Sequence, residues 1–292
     1  MKSNSEQTKE HKRTGRKALF WAIAVIGVAG FCTWQNNGVV TSSFVYEDEK
    51  VPRAFDGFRV VHVSDLHNKA FGEEQEDILG RIETLTPDII VITGDLIDRR
   101  RFDLETALTF VEGAVRLAPV YYVPGNHEAW SGKYPLIKER LLRAGAVVLD
   151  NESAEVIRDG ERLRILGLSD PGFLTNGHEE DTDTSKMEEA LCKWSEEGGF
   201  SLLLSHRPEL FELYQKWNMD VIFSGHAHGG QVRLPIVGAL YAPEQGVLPQ
   251  YTSGCYREGN SAMYVSRGLG NSLFPLRVFN RPELLVVELS KK

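Results

Sequence analysis

The sequence predicts an α/β fold in which mixed β-sheets are covered by helices, preceded by one N-terminal transmembrane helix. Three observations carry this. Residues 18–34, ALFWAIAVIGVAGFCTW, hold no charged side chain and follow the basic stretch KEHKRTGRK. From residue 58 onward, short β-branched and apolar runs alternate with stretches of helical spacing, the pattern of an α/β domain. The 292 residues, 42% hydrophobic and 25% charged, have a globular composition with no low-complexity tract or fixed-period repeat.

At ~1.5 Å per residue the uncharged run covers about 25 Å, the short end of what spans a bilayer. Positive charge stays cytoplasmic, so the N-terminus is expected inside the cell membrane and everything after Trp34 outside. A cleaved signal peptide is the competing reading. No A-x-A site follows the run, and Phe31 before Cys32 suits lipoprotein cleavage poorly, so an uncleaved single-pass anchor is preferred. The expected organisation is a cytoplasmic basic tail (1–17), an anchor (18–34), a polar linker and lead-in (35–57), and one extracytoplasmic domain (58–289). Such a linker holds the domain near the bilayer without fixing its orientation.

Within the domain, FRVVHVS (58–64), DIIVITG (88–94) and PVYYVPG (119–125) read as strands. Helical stretches follow each of them, over 76–85, 104–117 and 134–145, the last ended by Gly145. The second half is richer in strands: VVLD, EVIR, RLRILGLS, SLLLSH, DVIFSG, AMYVSRG and LLVVEL. Helices are expected near 184–196 and 208–217.

Charge narrows the function. Residues 1–17 hold six Lys/Arg against two Glu, so the chain's net −8 leaves −12 for residues 35–292. An acidic outer domain lacks the clustered Lys/Arg that nucleic acid requires. The cysteines, Cys32, Cys192 and Cys255, show no C-x-x-C spacing, which argues against a thiolate metal site. A Cys192–Cys255 disulfide is compatible with an oxidising compartment, but sequence does not decide it.

The polar residues that can do chemistry collect directly after strands. DLH (65–67) follows FRVVHVS, GDLID (94–98) follows DIIVIT, and GNHE (125–128) follows PVYYVP. SHRPE (205–209) follows SLLL, and GHAH (225–228) follows DVIFS. A G-H-x-H match alone is weak. Five such segments in order, each at a strand's carboxyl end where α/β sheets bind ligands, form a strong signal. Side chains at i and i+2 share a side of an extended segment, so Asp65 with His67, and His226 with His228, aim into one pocket. Imidazole and carboxylate without sulfur suit Zn, Mn, Fe or Ni.

D-x-H, G-D-x-x-D, G-N-H-E, a lone His and G-H-x-H, in this order, resemble the calcineurin-like metallophosphoesterases. The resemblance covers roughly 58–289 and is strongest to their bacterial membrane-anchored, YkuE-like branch, including the tail YVSRGLGNSLFPLRVFNRPE. It implies a four-layer αββα sandwich and two divalent cations (Mn, Fe or Zn). Asp65, His67, Asp95 and His228 would hold the first; Asp95, Asn126, His206 and His226 the second, with Asp95 bridging. His127 would contact substrate as general acid. Two such cations clamp phosphoryl oxygens and activate water for in-line displacement. The implied activity is a phosphodiesterase or pyrophosphatase, with a phosphomonoesterase and a non-catalytic metal-stabilised envelope protein as alternatives.

Other polar residues carry plainer expectations. His62 reads as a hydrogen-bonded core histidine, His178 as loop surface, and His11 as an inert tail residue. Asp98 reads as a turn or helix-cap residue, Glu128 as orienting, and Asp170 as a turn residue. Arg207 either binds phosphate bidentately or is structural. Two apolar segments, 233–251 and 268–280, are rich in Pro and Gly. They are either core strands or, around Leu273, Phe274, Pro275 and Leu276, an exposed rim for a lipid-linked or amphipathic phosphorylated substrate.

Overall fold

The apolar runs are continuous because both faces of each central strand are buried. The computed structural model describes residues 4–175 and 182–292, with side chains from residue 16 onward; His178 lies outside these residues. The chain runs α1 (Asn4–Asn37), β1 (Val40–Asp48), β2 (Arg59–Val63), α2 (Glu76–Thr84), β3 (Ile89–Thr93), α3 (Leu104–Ala114), β4 (Val120–Val123), α4 (Asn126–Ala129), α5 (Tyr134–Arg143), β5 (Val147–Val148), β6 (Glu152–Arg158) and β7 (Glu161–Gly167). There follow α6 (Ser185–Glu197), β8 (Ser201–Leu204), α7 (Phe211–Lys216), β9 (Val221–Ser224), four two-residue strands β10–β13 between Arg233 and Val247, β14 (Gly254–Glu258), β15 (Ser261–Val265) and β16 (Glu283–Lys291).

Two six-stranded mixed sheets result, ordered β1-β16-β2-β3-β4-β5 and β14-β15-β9-β8-β7-β6. Period-two alternation sorts their side chains into three cores. Val60, Ile89, Val91, Leu202, Leu204 and Phe223 pack between the sheets. Val61, Val63, Ile90 and Ile92 point the other way, against Ile78, Leu108 and Leu141 of α2, α3 and α5. Leu203 and Ile222 likewise meet Leu191 and Phe211 of α6 and α7. The fold is therefore the four-layer αββα sandwich. His62 lies on the inter-sheet face, buried, with its Nε2 2.7 Å from Thr93 Oγ1, the core histidine expected. Asp103 caps α3, accepting from the Glu105 and Thr106 amides.

Residues 35–57 are not a linker. VTSSFVYED forms β1, which pairs in parallel with β16 from Val40↔Glu283 to Asp48↔Lys291. As an edge strand it is half solvated, so its outward residues Thr41, Ser43 and Glu47 are polar, Val45 apart, and the apolar signal is weak. Residues Arg16–Asn37 of α1 are long and apolar enough to cross a membrane, and their apolar side chains, Phe20 and Trp21 among them, are exposed. The helix 208–217 starts late because Pro208 opens a 3₁₀ turn before α7. Cys32, Cys192 and Cys255 are all free thiols, so the Cys192–Cys255 pairing is absent.

Candidate metal centre

The site sits where the carboxyl ends of β2, β3 and β4 in one sheet face those of β8 and β9 in the other. Its expected residues come together, with Arg207 behind His226 at 3.2 Å. Asp65, His67 and His228 form one cluster; Asp95, His206 and His226 form a second. In the first, His67 Nε2 faces His228 Nε2 at 3.1 Å, and Asp65 Oδ1 lies 3.4 Å from His228 Nε2. In the second, His226 Nδ1 faces His206 Nε2 at 3.1 Å, with Asn126 Oδ1 3.1 Å from the same nitrogen. Asp95 Oδ2 stands between, 3.6 Å from His67 Nε2 and 3.4 Å from His206 Nε2.

Local backbone achieves this at a cost. Asp65, His67, Asp95, His226 and His228 all adopt positive φ, between 47° and 63°. Non-glycine residues rarely do so, and such strain persists where the surroundings over-determine it. Two glycines make room. A Cβ on Gly125 would collide with Asp95 Oδ1, and one on Gly225 with Ser64 Oγ. Glu128, in the short helix α4, accepts from the backbone N–H groups of Asp95, Gly125 and Ile97, fixing the Asp95 turn against the Asn126 turn.

The donor set fits two cations. It is oxygen and imidazole nitrogen only, it is buried, and in each cluster two imidazole nitrogens face each other with an acidic oxygen beside them. Without a cation the electrostatics divide. Burial pushes His67 well below its ordinary value and His228 down to about 4. Burial also opposes charge on His206, but Asp95's carboxylate outweighs it and pushes that ring up to about 10.

His127 stands beside these clusters, its ring edge-on to His67 at 4.5 Å. Its Nδ1 accepts the Arg99 backbone N–H (3.1 Å), so in the neutral ring the proton sits on Nε2, which points to Ser272 Oγ at 3.2 Å. Nε2 faces a small cavity lined also by Trp130, Tyr241, Pro243, Leu273 and Phe274, with Arg99 and Arg100. A second, open cavity of about 600 Å³ adjoins it, lined by His67, Lys69, Asp98, Arg101, Asn271 and Pro275 among others. Asp98 is buried and accepts from the Arg100 amide and the Arg101 guanidinium; it caps no helix.

Arg207 does not offer its fork to phosphate. The guanidinium is buried and held bidentately by Asp170, at 2.6 and 3.0 Å, while Nη1 lies 2.9 Å from Glu244 Oε1 and 3.2 Å from His226 Nε2. Asp170 is accordingly more than a turn residue: it caps the turn at Gly172 and neutralises Arg207. Glu244 also contacts His226 Nε2 directly, which turns Nδ1 inward. Sequence reading missed Glu244, Arg99, Arg100 and Ser272. The run DRRR after GDLI signals the arginines. Nothing local signals Glu244, which reaches the site through the β12–β13 turn.

A family model described as calcineurin-like phosphoesterase matches residues 58–230. The metallophosphoesterase YkuE of Bacillus subtilis is 28% identical over 298 residues, covering 96% of this chain and 98% of that one. The phosphodiesterase YaeI of Escherichia coli is 28% identical over 243 residues, covering 80% and 82%. A Danio rerio transmembrane protein with metallophosphoesterase domain is 29% identical over 256 residues, covering 83% of this chain and 55% of its own length. Among solved structures, TT1561 of Thermus thermophilus shares the fold, with a TM-score of 0.50 and 14% identity over 73% of this chain and 90% of that one.

Proposed function

The chain belongs to the calcineurin-like phosphoesterases and is a metal-dependent phosphoester hydrolase, and from that premise we propose that it cleaves a phosphodiester or pyrophosphate carrying an apolar group, at the outer face of a membrane. The observation that carries the reading is the juxtaposition of the shared Asp95 with a cavity lined by Trp130, Tyr241, Pro243, Leu273 and Phe274 together with Arg99, whose guanidinium lies 4.6 Å over the Trp130 ring, and Arg100. Such a wall accepts an amphipathic molecule: cations for the phosphate, rings and aliphatic groups for its apolar end.

In this reading Asp65, His67, Asp95 and His228 hold one divalent cation, and Asp95, Asn126, His206 and His226 the other. Bound there, the pair supplies Lewis-acid polarisation of phosphoryl oxygen and activation of water. The chain's own groups do the rest. Glu128 keeps Asp95 in its turn. Thr93 carbonyl accepts from His206 Nδ1, and Glu244 engages His226 Nε2, so both rings present the nitrogen facing the centre. His127 Nε2–H donates to the leaving oxygen, with Ser272 fixing its direction. Arg100 stands on the wall shared by both cavities, where a phosphate oxygen passes. The basic residues ahead of the apolar run of α1 favour a cytoplasmic N-terminus and hence a site outside; a periplasm- or exterior-active reporter fused after Lys292 should be active, and cytoplasmic labelling of the domain would reverse the orientation.

The substrate test compares bis- with mono-p-nitrophenyl phosphate, then a short soluble diester with a long-chain analogue in micelles, using Mn²⁺-loaded full chain. Diester turnover should vanish on chelation and exceed monoester turnover. kcat/KM should rise with chain length, and should lose that rise in the Leu273→Ser, Phe274→Ser double variant. Preference for the monoester, or indifference to chain length, overturns the diester or the amphipathic reading respectively.

A further inference from the structure

The end of α1 is bonded into the rim of the site. Asn271 Nδ2 donates to Asn36 Oδ1, Lys69 to the Asn36 carbonyl, and the Asn280 amide to Gln35 Oε1. The Arg281 guanidinium lies 4.8 Å over the Trp34 ring, and Phe31 packs edge-on against Phe279 at 5.6 Å. A helix bonded this way orients the domain, where a free linker would leave it to tumble.

The seam sets a depth. Trp34 is half exposed at the helix end, where tryptophan marks the membrane–water boundary. Phe31 lies one turn further into the apolar run, about 4.5 Å deeper at ~1.5 Å per residue. Phe279, packed on Phe31 and itself exposed, shares that depth. The chain continues from it without a break: Val278 bridges Val232, and its carbonyl accepts from the Arg233 amide. Arg233 opens the hairpin β10–β11, Arg233–Leu234 with Gly238–Ala239.

That hairpin ends in Pro235, Ile236 and Val237. Ile236 is fully exposed, at 107% of its reference area, and holds φ of 73°. A β-branched side chain at positive φ is strained, and a side chain this exposed gains no burial against the described residues. Leu234 and Val237 beside it are exposed as well. The neighbouring loop is pinned: buried Arg277 donates to the carbonyls of Arg267, Gly270 and Asn280, next to Val278, which bridges to Val232 at the hairpin's start.

We propose that the β10–β11 hairpin, with Phe279, inserts into the acyl boundary of the bilayer that α1 crosses, so that the site's rim faces the lipid surface. Apolar groups held at about 5–10 Å depth beside a membrane helix are stabilised there by burial. The proposal rests on α1 being the membrane anchor.

The test puts nitroxide labels on single-cysteine variants of the full chain, in a background with Cys32, Cys192 and Cys255 replaced by Ala. The labelled sites are Ile236→Cys, Ile157→Cys on the exposed edge strand β6 as the aqueous reference, and Val25→Cys in α1 as the lipid reference. In discs of phosphatidylcholine with phosphatidylglycerol, the oxygen-to-nickel-chelate accessibility ratio at 236 should approach that at 25 and exceed that at 157 by about tenfold, as for a group below the headgroups. A ratio at 236 equal to that at 157, with Val25 in lipid, overturns the proposal and leaves the anchor standing. A label at 236 shielded from both reagents means a protein partner covers the hairpin, and the proposal falls. An aqueous ratio at Val25 overturns the anchor reading and the proposal together.

Discussion

The two halves of the centre present similar inner faces and different outer supports. Each has two imidazole nitrogens 3.1 Å apart and a share of Asp95. Behind the second half stand named partners: the Thr93 carbonyl holds His206 Nδ1, and Glu244 with the Arg207–Asp170 pair holds the far side of His226. Behind the first half the outward Nδ1 atoms of His67 and His228 have no hydrogen-bond partner among the described residues. Those two rings are fixed instead by positive-φ backbone and by stacking on each other at 4.9 Å. Outer hydrogen bonds fix tautomer and raise ligand basicity. We therefore propose that the second half would hold a cation when it is loosely supplied, whereas the first would lean on the shared carboxylate.

The largest effect should come from Asp95→Asn, which strikes both halves. Activity at limiting metal should fall by more than about 10³-fold, exceeding the loss in His67→Ala, which strikes one half. Elemental analysis checks it: two retained metals with near-normal turnover would remove Asp95 from its bridging role. Next comes His127→Ala. It should keep both metals and lose about 10²–10³-fold in turnover, less on a p-nitrophenyl substrate than on a diester of a poorly acidic alcohol. Because His67, Asp95 and His127 also lie within reach of one ion, loss of a metal in this variant would make His127 a ligand of the first half.

Glu244→Gln breaks the symmetry from the other side. It keeps the shape beside His226 but removes the charge. The second cation's affinity should fall by about 10–100-fold, the range for an outer partner of a ligand histidine, with the first unchanged. A metal titration with two resolved steps reads this directly. Equal weakening of both steps, or of neither, would mean that the outer supports do not distinguish the halves.

What sequence could reveal followed how local each feature is. Asp65, His67, Asp95, Asn126, His206, His226 and His228 were legible because each sits within a few residues of an apolar strand's end. The strands themselves were legible because burial on both faces leaves an uninterrupted apolar run. β1 was not, since an edge strand alternates and VTSSFVYED resembles a linker. Arg207 stayed open between two readings for a different reason. Its neighbour His206 suggested phosphate binding, but its partners Asp170 and Glu244 lie 37 residues away on one side and 37 on the other, and only the fold brings them together. The role of α1 was half legible: composition marks an apolar helix, whereas its bonds to Asn271 and Asn280 appear only in three dimensions.

The smallest effect distinguishes the halves by their protons. In the metal-free protein burial keeps His67 and His228 neutral at pH 7, while Asp95 keeps His206 charged by pushing it up to about 10. A cation on the second half must displace that proton, whereas one on the first finds neutral rings. A raised folded-state value stabilises fully below the ordinary histidine value of 6.5 and is lost as pH rises through about 10. Between pH 7 and 10 the Tm of chelated protein should therefore fall by several degrees, roughly what a loss of a few kcal/mol gives in a domain this size. Mn²⁺-loaded protein should fall less, because the cation replaces the proton beside Asp95. Calorimetry in buffers of different ionisation heat should show about one proton released at pH 8 on filling the second half, and none on filling the first. Release from the half that Glu244→Gln leaves untouched, or no release at all, would mean that Asp95 and His206 do not share a proton in the metal-free state, and that the two halves differ in outer support alone.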